Sequence, residues 1–217
     1  MTGWADLVLV AVLGLDVYVV ASSRLAGVVR ASALQGVALA LLPLAIWAKD
    51  DPGEVLHAWL MALGTLGLKA VLIPLLLMRS IRAAHVSREV EPFVSLHTSA
   101  VFAAVLIGIS FWLSGVLVLP HPPPSALVVP AAFATLLIGF LVLVSRRKAI
   151  TQVVGYLLIE NGVYIFGQSL ASTIPFVVEL GILLDVLVGV FVMGVAIHHI
   201  QREFEHIDTE LLSTLKD

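Results

Sequence analysis

The chain is 217 residues long, 60% hydrophobic and only 12% charged, with a formal net charge of −3 and no cysteine. Soluble domains carry about twice that charge fraction, so the composition excludes a soluble globular protein. The lack of cysteine excludes disulfides, thiolate zinc sites and all-cysteine iron–sulfur clusters, and the basic residues are too scattered for a nucleic-acid surface.

A membrane-spanning helix needs about 20 apolar residues. Breaks at charged or Pro/Gly-rich points leave seven such runs, near 3–22, 32–48, 54–78, 96–119, 125–144, 151–172 and 176–199. The expected fold is therefore all-α and polytopic, with seven transmembrane helices and no room for a folded aqueous domain. The first run has no basic segment before it and carries Asp6 and Asp16, which reads as a retained helix rather than a signal peptide.

Loop charges set the expected orientation. Arg24 and Arg30 follow the first span; Arg79, Arg82 and Arg88 follow the third; Arg146, Arg147 and Lys148 follow the fifth; Arg202 and Lys216 lie in the tail. The opposite loops hold only Lys49, beside Asp50, Asp51 and Glu54. The positive-inside rule then places the N-terminus outside and the C-terminus in the cytoplasm, in the cell's inner (cytoplasmic) membrane.

Two stretches align on a glutamine, with an arginine five residues before each: Arg30 with Gln35, and Arg147 with Gln152. Lys69 follows Gln35 by 34 residues and Asp185 follows Gln152 by 33. The spacing predicts a parallel repeat of the first three spans in the last three. The chain divides accordingly into a three-helix bundle over 1–95, a linking helix over 96–120, a second three-helix module over 121–200 and a cytoplasmic tail over 201–217.

Ionisable residues inside spans are informative because each costs several kcal/mol when it faces lipid unpaired. Lys69, Glu160 and Asp185 sit near mid-span and are the expected proton-path residues. Asp16, Gln152, Asn161, Glu179 and His198 are candidates for the path or its mouths; Gln152 and Glu160 are about two turns apart and so share a face. An ionisable group taken out of water can change charge near neutral pH, which suits a relay. The same residues could instead staple the bundle as static ion pairs. No mid-helix histidine pair suits haem. Gly108, Gly115, Gly139, Gly162 and the Gly64/Gly67 step are expected at close helix contacts, Trp4, Trp47 and Trp112 suit interfacial belts, and Trp59 is expected inside the packing.

The last three spans, with the basic Arg146-Arg147-Lys148 loop, the Gln152, Gly155, Glu160 and Asn161 helix and the mid-helix acid Asp185, resemble the three-helix K subunit of respiratory complex I. They also resemble its counterpart, the C subunit of multisubunit cation/proton antiporters. With extra helices before that module, the chain resembles the hydrogenase-4 component E family of formate hydrogenlyase-type, complex I-like assemblies. In that family two intramembrane carboxylates occupy consecutive helices, and they correspond here to Glu160 and Asp185. Glu160 stands about a turn beyond the complex I position, where this chain has Leu157.

The resemblance implies a membrane subunit of an oxidoreductase complex that contributes to proton or cation translocation. It would have other membrane subunits and lipid as partners and no nucleic acid, with no cofactor in this chain and metal clusters in partner subunits. The alternatives are a subunit of a cation/proton antiporter or a standalone ion transporter. Against a standalone carrier, the sequence offers no discontinuous helix pair, only Pro43 and Pro74 within spans.

Overall fold

A computed structural model of the chain describes residues 3–47, 52–83, 93–119 and 121–170. The described residues form helices α1 (Gly3–Ala21), α2 (Leu25–Trp47), α3 (Pro52–Thr65), α4 (Ile73–Ala83), α5 (Leu96–Val116), α6 (Val128–Ser145) and α7 (Ala149–Leu170). A π-helical segment, Leu66–Leu72, joins α3 to α4. Among the described residues, six helical stretches are long and apolar enough to cross a membrane, with the third running from Ala58 to Arg82 through the π segment. In order they match the first six predicted spans, and the chain is a helical membrane protein. The predicted seventh span at 176–199, with Glu179, Asp185 and His198, lies outside the described residues, and so does the tail.

Several expectations are corrected. The second helix begins at Leu25 rather than near residue 32, so Arg30 lies on a helix, and the third span continues to Ala83, so Arg79 and Arg82 do too. Arg146 is buried and donates through Nη2 to the Val20 carbonyl at 2.6 Å. It thus caps the last turn of α1, where a cation meets the negative end of the helix dipole, instead of standing in a solvated loop. The repeat's anchoring glutamines are not at matching places, since Gln35 is deep in α2 and Gln152 is in the first turn of α7. Trp59 is 51% exposed rather than packed inside.

The third span is also not a continuous α-helix. The backbone N–H of Ile73 bonds to the Leu68 carbonyl, five residues back, which widens the turn around Lys69. Pro74 supplies a cause: in a regular helix its ring collides with the carbonyl four residues earlier, that of Ala70, and a wider preceding turn relieves the collision.

α6 and α7 form the most extensive helix pair, with α1 and α2 against them, α5 on α6 and α1, and the third span on α2. Close approach between α6 and α7 depends on small residues. A Cβ on Gly139 would fall 2.6 Å from the Ile159 nitrogen, and one on Gly155 would fall 2.7 Å from the Leu143 nitrogen. Gly162 is similarly tight, whereas Gly64, Gly67, Gly108 and Gly115 have no neighbour within 4 Å among the described residues. The packing role expected of those four is not seen there.

Contacts at both ends fix the relative sense of α1 and α6. Asp6, in the first turn of α1, accepts from Ser125, just before α6. Arg146, just after α6, reaches Val20 at the end of α1. The two helices are therefore parallel, as expected for the first and fifth of five alternating spans. Around them lie two apolar clusters. One gathers Val19, Val28, Ile73, Ile138, Val142 and Leu158; the other gathers Val12, Leu39, Met61, Ala132 and Ile165. Both draw on the two halves of the chain.

A buried polar layer as the candidate functional site

Between those clusters lies a row of polar side chains, one helix after another. On α1, Asp16 stands between Val12 and Val19; on α2, Gln35 stands between Val28 and Leu39. Lys69 stands between Met61 and Ile73, Thr135 between Ala132 and Ile138, and Glu160 and Asn161 between Leu158 and Ile165. In every case one flanking residue belongs to each cluster. The polar residues consequently share a depth, and the layer runs across the bundle rather than along it. All six are 4% exposed or less.

The groups are joined. Thr135 Oγ1 donates to Asp16 Oδ2 at 2.7 Å, and Gln35 Nε2 donates to Asp16 Oδ1 at 2.6 Å. Asn161 Nδ2 donates to Gln35 Oε1 at 3.4 Å, and Lys69 Nζ donates to Asn161 Oδ1 at 3.0 Å. Lys69 Nζ also lies 2.9 Å from Glu160 Oε1 and 5.3 Å from the centroid of the Tyr164 ring. From Lys69 to Asp16 every donor points the same way, so the two amide dipoles are aligned between a cation and an anion.

Local structure positions each member. Residues four apart share a helix face, so Glu160 and Tyr164 of α7 approach Lys69 together, with Asn161 alongside. The widened turn at Leu66–Leu72 carries Lys69 toward them. Next to Gln35, Gly36 lets α2 meet that turn directly: a Cβ there would be 2.7 Å from the Lys69 carbonyl carbon. A buried charge pair stays favourable only with good geometry and further hydrogen bonds. Asn161 Oδ1 accepts such a bond from the ammonium, and the Tyr164 ring adds a cation–π contact. Glu160 Oε2, by contrast, is buried with no hydrogen-bond partner among the described residues.

Of the residues singled out in the sequence, the structure brings together Lys69, Glu160, Asn161 and Asp16. Gln152 stands apart: it is half-buried in the first turn of α7, and its Nε2 donates to the Arg146 carbonyl at 2.9 Å. It closes the α6–α7 connection and has no bond to Glu160. Asp185, Glu179 and His198 lie outside the described residues. Gln35 and Thr135 were not foreseen as members of the site. Gln35 had drawn notice only as a repeat anchor, and the signal that could have found it is its place near mid-span on an otherwise apolar helix.

No family model matches the chain, and no solved structure matches it. Among curated proteins, the uncharacterized protein Rv0085 of Mycobacterium tuberculosis is 34% identical over 203 residues, which is 93% of this chain and 91% of that protein. Hydrogenase-4 component E of Escherichia coli K12 is 28% identical over 148 residues, 68% of each chain, and the same protein from Shigella flexneri matches equally. The chain thus belongs to the family of helical membrane proteins that includes the mycobacterial Rv0085, and it is a relative of hydrogenase-4 component E.

Proposed function

We propose that the chain is an integral subunit of a hydrogenase or complex I-like oxidoreductase complex in the inner membrane, with its N-terminus outside, its C-terminus in the cytoplasm and its buried polar layer as part of a proton path. Partner subunits carry the metal clusters and the electron chemistry. The likeness to hydrogenase-4 component E supports the setting. The observation that carries the reading is the joined row from Asp16 to Glu160 through Lys69.

The row holds one cation, Lys69, and two carboxyl groups, Asp16 and Glu160. With all three ionised it bears a net negative charge in a dry layer, and an uncompensated buried charge is disfavoured by several kcal/mol. Gaining one proton makes it neutral. Gln35 and Asn161 pass no proton at rest but couple Asp16 to the Lys69 ammonium, so charge at one end biases the other. Because the layer lies across the bundle, it conveys charge sideways between neighbouring subunits, with Asp185 joining the path on the strength of its mid-span place in the sequence.

Asp16→Asn and Glu160→Gln keep shape while removing titration. In membranes from strains carrying each change, the complex should assemble on native gels yet lose proton translocation. If both variants assemble and translocate normally, the residues are staples and the reading fails.

A further inference from the structure

On the face of α1 and α2 away from the polar layer, two grooves meet. One, of about 630 Å³, is lined by Tyr18, Arg24, Gly27 and Arg30 among others, and the second, of about 490 Å³, by Leu7, Ala11, Gly14, Val37 and Leu41 among others. Leu15 and Leu34 line both, so the two are one continuous depression with a basic head and an apolar trough.

The head is built for an anion. Arg24 and Arg30 are exposed, and neither guanidinium forms an ion pair among the described residues. α2 begins at Leu25, and Arg24, Ala26 and Gly27 of that end line the head. The first N–H groups of a helix have no partners within it and favour negative charge. A Cβ on Gly27 would fall 2.6 Å from the hydroxyl of the exposed Tyr18, so the glycine leaves the phenol room to lie across α2 beside the arginines. The trough is open because Ala11, Gly14 and Ala38 are small, and a Cβ on Gly14 would meet nothing within 4 Å among the described residues.

We propose that this depression binds one anionic phospholipid, its phosphate between Arg24 and Arg30 and an acyl chain along the trough. A free phosphate would use only the head and leave the trough without a role. In the orientation proposed above, the head lies at the cytoplasmic end, where anionic lipids attract basic residues. The inference is independent of the proton path.

The full chain, extracted in its native assembly and delipidated, should be offered phosphatidylglycerol or phosphatidylcholine and read by native mass spectrometry. Phosphatidylglycerol should be retained in preference. The double variant Arg24→Gln/Arg30→Gln should weaken its retention roughly thirty-fold, since each basic residue near an anionic surface contributes about fivefold, while leaving phosphatidylcholine unchanged. Gly14→Leu, which adds bulk only to the open trough, should reduce retention of phosphatidylglycerol with the arginines intact. Equal retention of the two lipids, wild-type retention in the double variant, or no effect of Gly14→Leu would overturn the proposal. So would a crosslink from Leu34→Cys to a partner subunit, which would make the depression a protein interface.

Discussion

α5 and α7 have nearly the same length, 21 and 22 residues, and both are apolar enough to span a membrane. Their places differ: of an 18-residue apolar stretch in each, 67% is buried inside the bundle in α7 against 17% in α5. α5 turns Phe102, Phe111 and Trp112 outward and buries Ser99, Ala103 and Ser110. α7 buries Gly155, Glu160, Asn161, Gly162 and Gln168. In lipid, hydrophobicity no longer sorts inside from outside; small and polar residues do, because they permit close approach or need partners.

The sharpest way to break this contrast is at the charged end of α7. Lys69→Met leaves Glu160 buried without its cation and should destabilise the chain by about 3–5 kcal/mol, measured by thermal or denaturant unfolding in detergent. Adding Glu160→Leu should recover most of that loss. A cost below about 1 kcal/mol would mean that water reaches the layer.

A smaller effect tests packing. Gly155→Ala puts a methyl against the backbone of Leu143 and should cost about 1–3 kcal/mol, the usual penalty of overpacking. Its counterpart on α5, Gly108→Ala, meets nothing within 4 Å among the described residues. That change should leave stability unaltered or raise it by up to about 1 kcal/mol, alanine being the better helix former. Equal costs at the two glycines would erase the distinction between the helices.

The sequence made the spans legible because twenty-residue apolar runs have few alternative meanings. It made the charged members of the layer legible too, since Asp16, Lys69 and Glu160 are conspicuous in lipid. Gln35 and Thr135 escaped because an uncharged polar side chain in a helix carries a weaker signal, and its partner is set by which helices meet. Glycine was ambiguous for the same reason: Gly139 and Gly108 look alike along the chain, and only the neighbour across the interface separates them. The widened turn at Lys69 had a local sign in Pro74, five residues on. That sign reads equally well as a simple kink.

The one-way order of donors from Lys69 to Asp16 has a further consequence. A primary amide presents hydrogen at one edge and oxygen at the other, so along the row of two between end groups just two directions pair every donor with an acceptor, and the bond from Gln35 Nε2 to the Val12 carbonyl at 3.4 Å favours the observed one. In the observed one Lys69 gives and Asp16 receives. In the reverse, Asp16 gives and Lys69 receives, which requires a proton lost at the lysine, a proton gained at the aspartate, and both Gln35 and Asn161 turned over. Any halfway arrangement sets oxygen against oxygen or hydrogen against hydrogen in a dry interior, where an unmet polar group is costly. The order of the row is therefore tied to the protonation of its ends: the two amides would reverse only together, and only with one proton moved from the lysine to the aspartate.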